Sequence, residues 1–248
     1  MSATLVVDGA VARITLERPE ALNALDGSVA AALEAALERL EQAQEVTVAI
    51  VVGRGRAFCA GNDISEMAGL TATAAEALSA RWQRIMDRFA HLPQVTIAAV
   101  GGYALGGGCM LALAQDLRVA ERSARFGLPE ITLGFNPSYG IARLLDVLGG
   151  AHARDLLLTG RMVDAEEALR IGLATRVVMD GTLEMTVAEL AAEIARHPRA
   201  GLGAAKAAVA AIRAGQPGVE ARSYAALVAE PETRARIAEF VARKGRPR

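Results

Sequence analysis

Residues 95–114 read VTIAAVGGYALGGGCMLALA and carry no charged side chain. Val95 to Val100 is β-branched and apolar, the composition of a buried strand. Leu111 to Ala114 stays apolar, as a buried helix does. Between them stand Gly101, Gly102, Gly106, Gly107 and Gly108. Glycines at a strand-to-helix junction leave backbone N–H groups uncovered, and with the helix dipole these can hold negative charge. On this stretch alone, close backbone packing explains the glycines as well as a ligand loop does. Twenty uncharged residues also match the length of a bilayer span, and Gly102 and Gly106 have GxxxG spacing. Yet a run so rich in glycine is a poor membrane helix, and no Lys/Arg cluster flanks it to set an orientation. It predicts a strand, a glycine turn and a helix inside a soluble α/β body.

The surrounding chain supports that class. The segments around Asp8-Gly9 alternate, as in a hairpin. A helix follows from about Asp26, its N-cap, to Gln44, with Val29, Leu33, Leu37 and Leu40 on one face. Val46 to Val52 is nearly continuously apolar, as a parallel strand covered on both faces is. GRGRAFCAGNDI is a second glycine-marked turn, and Thr73 to Ala90 is helical with Ala77, Trp82, Ile85 and Phe89 inward. Leu117 to Ala120 is a strand, and Phe126 to Pro137 is irregular. Two helices, Tyr139 to Leu148 and His152 to Leu158, flank Gly149-Gly150. Met162 to Leu173 is a helix, with a capping box at Asp164 and Glu167. Val177-Val178 is a last short strand, and beyond Leu183 the pattern is helical. The division expected is a body over 1–182 and a helical region over 183–248 for packing and oligomerisation.

A net charge of −1 leaves no electrostatic case for nucleic acid or an anionic membrane. The basic residues Arg243, Lys244, Arg246 and Arg248 read as a solvated end. Cys59 and Cys109 are the only cysteines; they read as small buried hydrophobes, with no CxxC pair. His91, His152 and His197 stand too far apart for a metal site. No basic-then-apolar signal pattern opens the sequence. A reducing, cytoplasmic location is expected.

Three stretches combine glycine with charge or polarity: Phe58 to Ile64, Gly106 to Met110, and Phe126 to Ile131. The first two follow predicted parallel strands, and ligands of open α/β sheets bind beyond the carboxyl ends of strands. Two such turns can aim N–H groups at one point, the geometry of an oxyanion hole. Glu130, between Pro129 and Ile131, is a candidate acid or base if its setting raises its pKa. The plain alternatives stay open: Asp63 as a helix N-cap and Glu130 as a surface carboxylate.

Taken together, VARITLERPEALNALD, AFCAGNDI, IAAVGGYALGGGC, FGLPEITLGFNP and AEEALRIGLATRVV resemble the enoyl-CoA hydratase/isomerase, or crotonase, family. The resemblance runs from about Val11 to Val178. It implies a spiral of ββα repeats forming two sheets, a C-terminal helical region, and homotrimers or hexamers. It implies no metal and no redox cofactor, because coenzyme A arrives as part of an acyl-CoA thioester substrate. Asn62 matches the first oxyanion-hole position, through its backbone N–H, and Gly107 the second. Ala21, Ala60, Asp63 and Ile64 match the region that holds the adenine and pantetheine parts of CoA. Glu130 matches the second of two carboxylates that transfer protons.

The first of those carboxylates is missing: Met110 stands where hydratases of the family usually carry Glu. Glu20 replaces a frequent Lys, Gly101 a frequent Asn, and YGIARL is one residue short of the usual glycine-rich turn. The expectation is an enoyl-CoA isomerase that moves a double bond from position 3 to position 2, with Glu130 as proton shuttle. A hydratase or dehydratase using Glu130 is the alternative. A non-catalytic CoA-ester-binding protein is the further one. Tyr139 reads as acyl-pocket wall, with assistance to Glu130 as the other possibility.

Overall fold

The computed structural model describes residues 2–244, so Arg246 and Arg248 of the basic end lie outside the described residues. Strands β1 (Ala3–Asp8) and β2 (Val11–Leu16) form the hairpin. Asp8 pairs with Val11, so the central residues are Gly9-Ala10 rather than Asp8-Gly9. Gly9 takes the positive φ of 55° that starts this turn, a conformation cheap only for glycine. Helix α1 (Gly27–Gln42) begins as expected: the Asp26 carboxylate accepts from the Val29 N–H at 2.8 Å. Val29, Leu33, Leu37 and Leu40 are buried on one face.

Three repeats follow, each sending one strand into each of two sheets. They are β3 (Val48–Gly53), β4 (Ala57–Cys59) with α2 (Ile64–Met67) and α3 (Ala72–His91); β5 (Val95–Val100), β6 (Tyr103–Leu105) with α4 (Gly107–Leu113); and β7 (Leu117–Glu121), β8 (Arg125–Gly127) with α5 (Ile141–Thr159). Then come β9 (Met162–Asp164), α6 (Ala165–Arg170) and β10 (Arg176–Val178). The larger sheet has the order β1-β2-β3-β5-β7-β10 and the smaller β4-β6-β8-β9. This is the expected ββα spiral. The uncharged run is thus three elements, and among the described residues no helix is long and apolar enough to cross a membrane.

The apolar continuity of β3 and β5 has a direct cause. Ala49, Val51, Ala98 and Val100 face the main core, whereas Val48, Ile50, Ile97 and Ala99 face a second cluster. That second face is covered by α7 (Leu183–Ala195), through Leu183, Val187, Leu190 and Ala191. The helix that opens the C-terminal region therefore completes the sheet's burial. Beyond it lie α8 (Arg199–Arg213), α9 (Val219–Ala229) and α10 (Pro231–Lys244), and α8 and α9 bury no residue. A polar staple holds α8 to the body: Lys206 Nζ donates to Asp116 Oδ2 at 2.7 Å and to the carbonyls of Phe89 and Gln94.

Other local readings change too, and Ala77, expected inward on α3, is exposed. Residues 162–164 form strand β9, not the start of a helix, because they pair with Arg125 to Gly127. The helix begins only after Asp164, which caps the Glu167 N–H at 2.8 Å. Tyr103 to Leu105, inside the glycine run, is a strand paired with both β4 and β8. The irregular stretch after β8 contains a 3-10 turn, Pro129–Leu133. Gly149 breaks the helical path of α5 with φ 69° and ψ 167°, as the paired glycines implied.

Candidate active site

The loop after β2 is over-determined by one buried side chain. Asn23 accepts from the Arg18 N–H at 2.9 Å and donates to the carbonyls of Arg54 and Ala57. These bonds hold Leu22 and Asn23 at φ 50° and 57°, where non-glycine residues need such support. The Leu22 carbonyl then accepts from the Ala60 N–H at 2.9 Å. Leu25 donates to the Gly61 carbonyl and accepts from the Asp63 N–H, a single parallel bridge opposite Asn62. In that pattern Leu25 bonds the groups on either side of Asn62, so the N–H of Asn62 itself faces away from Leu25.

The glycine turn meets this segment. A Cβ on Gly61, at φ 103°, would lie 3.3 Å from the Gly107 nitrogen. Gly107 opens α4, so its N–H has no partner within the helix, as holds for every first helical residue. A Cβ on Gly107 would sit 2.3 Å from Tyr139 Oη and 2.4 Å from Asn62 Oδ1. One on Gly106 would sit 2.9 Å from Glu130 Oε1. The glycines therefore serve close packing at this turn: the side chains of Asn62, Tyr139 and Glu130 occupy the space their own would need.

Two chambers meet at this turn. The inner one, about 250 Å³, is walled by Trp82, Met110, Tyr139 and Leu78. The outer one, about 220 Å³, is bordered by Ala60, Ile64, Thr132 and Leu133. Asn62, Gly107 and Glu130 line both. Among the residues lining them, Glu130 is the only carboxylate. Its Oε2 is buried with no hydrogen-bond partner, and burial pushes its pKa above the ordinary glutamate value. A carboxyl desolvated in this way keeps its proton more readily and is a stronger base once ionised.

The other candidates divide. Ala60 and Ile64 border the outer chamber, and Ile64 is exposed. Ala21 ends the turn Pro19–Ala21 beside the Ala60 segment and lines neither chamber. The Asp63 carboxylate is engaged in structure: it accepts from Ser65 N–H and Oγ and pairs with Arg18 at 3.1 Å. Those bonds hold its pKa below the usual carboxylate value. Met110, 1% exposed, is a wall of the inner chamber. Sequence reasoning placed Tyr139 at the pocket wall and Trp82 inward, as found, but missed how they are tied together. Tyr139 donates to Asn62 Oδ1 at 2.7 Å and stacks on Trp82, with ring centroids 6.4 Å apart. The available signal was the spacing of Ser79, Trp82 and Gln83 on one face of α3.

Known proteins are similar to this chain over most of its length. The sequence model of a family described as enoyl-CoA hydratase/isomerase matches residues 7–234. The chain is 40% identical over 200 residues to the 2,3-dehydroadipyl-CoA hydratase of Escherichia coli K12, covering 79% of this chain and 76% of that protein. It is 37% identical over 204 residues to the short-chain-enoyl-CoA hydratase of Clostridium acetobutylicum, covering 82% and 78%. A crystal structure of an enoyl-CoA hydratase from Mycobacterium smegmatis superposes with a TM-score of 0.94 at 31% identity, over 100% of this chain and 98% of that one.

Proposed function

Because the chain belongs to the enoyl-CoA hydratase/isomerase family, we propose that it is an acyl-CoA enzyme that shifts a double bond from position 3 to position 2. The observation that carries this reading is the single carboxylate at the junction of the chambers, Glu130, with a thioether at Met110. The acyl chain occupies the inner chamber and the pantetheine the outer one, so the thioester carbonyl lies between Asn62 and Gly107. Ala21, Ala60, Asp63 and Ile64 flank the CoA side, Asp63 through the loop it holds rather than through its carboxylate. Coenzyme A enters as part of the substrate, and no separate cofactor takes part.

Glu130 removes a proton from C2, and the electrons of that bond move to the thioester oxygen as an enolate. The N–H groups of Asn62 and Gly107 hold the oxyanion. Glu130, now protonated, returns the proton at C4 while the enolate collapses and the double bond forms between C2 and C3. Nothing is oxidised or reduced, and no water is consumed. The oxyanion donors carry most of the barrier reduction, each about 3 kcal/mol. A raised Glu130 pKa narrows the gap between base and carbon acid by about 1.4 kcal/mol per unit.

Hydration of a 2-enoyl-CoA is the second reading, favoured by the names of the relatives, which are hydratases. It needs an oriented water, and Met110 offers no strong hydrogen bond to hold one. Assaying 3-enoyl-CoA and 2-enoyl-CoA side by side separates the two: isomerisation faster than hydration supports the first, the reverse the second. Both buried, unpaired cysteines suit a reducing cytoplasm. Assembly as a trimer or a pair of trimers is part of the same proposal.

A further inference from the structure

Residues 138–140 are gripped one after another by α3. Ser79 Oγ donates to the Ser138 carbonyl at 2.7 Å, and the Gly140 N–H donates to Gln83 Oε1 at 3.1 Å. Between them the Tyr139 ring stacks on Trp82 at an interplanar angle of 24°. Ser79, Trp82 and Gln83 lie three and four residues apart and so share one helix face. Tyr139 is thereby fixed at both backbone neighbours and at its ring, and it is 5% exposed.

The hydroxyl held in this way is spent on one acceptor, Asn62 Oδ1. Burial raises the phenol's pKa, so it stays protonated and donates. The segment around Asn62 has its other anchors on the opposite side. Ala60 N–H, Gly61 C=O and Asp63 N–H all bond to Leu22 or Leu25. Nothing in regular secondary structure fixes Asn62 itself, which makes one isolated bridge. The Tyr139 bond is the anchor on the chamber side.

We propose that Tyr139 is the positioning residue of the oxyanion hole, setting the Asn62 peptide through the Asn62 side chain and so coupling the acyl-chamber wall to the thioester carbonyl. This rests on assigning the Asn62 N–H to the thioester oxygen, as above. The residue acts through Asn62. A donor displaced by a fraction of an ångström loses transition-state stabilisation while ground-state binding, spread over both chambers, is nearly kept. The acyl wall and the hole therefore form one unit: α3 grips Tyr139, and Tyr139 grips Asn62.

The test uses the full chain and a saturated probe, butyryl-CoA carrying 13C at its carbonyl, which can be neither isomerised nor hydrated. Infrared difference spectra of the bound probe report polarisation of the carbonyl, and kcat and KM are measured separately with 3-enoyl-CoA. The expected result is a carbonyl shift to lower frequency in wild type that shrinks in Tyr139→Phe. With that shrinkage, kcat falls about tenfold or more and KM changes little. Phe keeps the ring on Trp82, so the fold is retained. Asn62→Ala removes the same bond from its other end and gives a similar loss. The double variant is no worse than the poorer single one, as expected for partners in one interaction. Full retention of the shift and of kcat in Tyr139→Phe overturns the inference and leaves the proposed function standing. So does a raised KM at unchanged kcat, which marks a mere wall, and so do losses that multiply in the double variant. A wild type with no carbonyl shift overturns the hole itself and Tyr139's role with it.

Discussion

The Met110 sulfur lies 2.8 Å from the point where a Cβ on Gly140 would sit. Gly140 has φ 81° and caps the start of α5, so position 140 supplies the room that the thioether fills. The side chain at the position where the family resemblance implies a carboxylate is therefore part of the packing of the chamber wall. Replacing Met110 by Glu puts a charge among Trp82, Tyr139 and Leu78. Met110→Glu is expected to raise 2-enoyl-CoA hydration relative to isomerisation. It is also expected to lower stability by about 1–3 kcal/mol, the range for a poorly compensated buried polar group. Paired assays and a thermal unfolding curve check this, and an unchanged ratio of the two rates counts against the role given to position 110.

Glu130 is expected to be indispensable for proton transfer. Glu130→Gln preserves shape and removes the base, so isomerisation should fall by at least ~10²-fold. Binding of a saturated acyl-CoA, measured by calorimetry, should be little changed. A variant that keeps a tenth of the wild-type rate would rule out Glu130 as the shuttle.

The same burial sets two pH dependences. The proposed mechanism needs ionised Glu130, and its pKa is raised by burial. The acid limb of kcat/KM is therefore expected above the ordinary glutamate value of about 4.3. A raised pKa in the folded state also means that folding favours the protonated form. Its contribution to stability is full below the unfolded pKa and is lost as pH rises through the folded one. Glu130→Gln should then be more stable than wild type at pH 8, with the difference closing toward pH 4. Parallel melting curves with no pH-dependent gap would contradict the desolvated setting.

Gly107 cannot accept a side chain without displacing its neighbours. The Cβ of Gly107→Ala would meet Tyr139 Oη and Asn62 Oδ1 at 2.3 and 2.4 Å. Turnover is expected to drop by about 10²-fold, the lower end for loss of one oxyanion donor, in a protein that still folds. Steady-state rates with a circular dichroism check decide it. Near-wild-type kcat would show that the Asn62–Tyr139 arrangement tolerates movement.

The last helices leave apolar side chains uncovered. Val209, Tyr224 and Val241 are each at least 60% exposed, on α8, α9 and α10. Covering these side chains against another copy would remove apolar area from water. The chain is expected to form a closed cyclic oligomer, with three copies as the family implies. Light scattering at micromolar concentration measures this, and a stable monomer would refute it.

Much of this protein is decided by interactions within a few residues. Asp26 and Asp164 cap their helices on N–H groups three residues away. The doubly buried β3 and β5 are written as continuous apolar runs, because each face of the sheet meets its own core. The glycine turns, and Glu130 beside Pro129, are likewise visible locally, since such a turn needs glycines at fixed local spacing; Asn62 and Gly107 are singled out within those turns only by the family resemblance. Strand β9 at residues 162–164 was not visible, because a three-residue strand exists only through its partner. Nor was the organisation of the inner wall. Ser79 meets Ser138, Gln83 meets Gly140, and Asn62 meets Tyr139 across 57 to 77 residues of chain. Contacts at that separation carry no periodicity that a window of sequence can hold. They follow from where α3 and the start of α5 pack, and that packing is what gives a tyrosine in a loop a single acceptor.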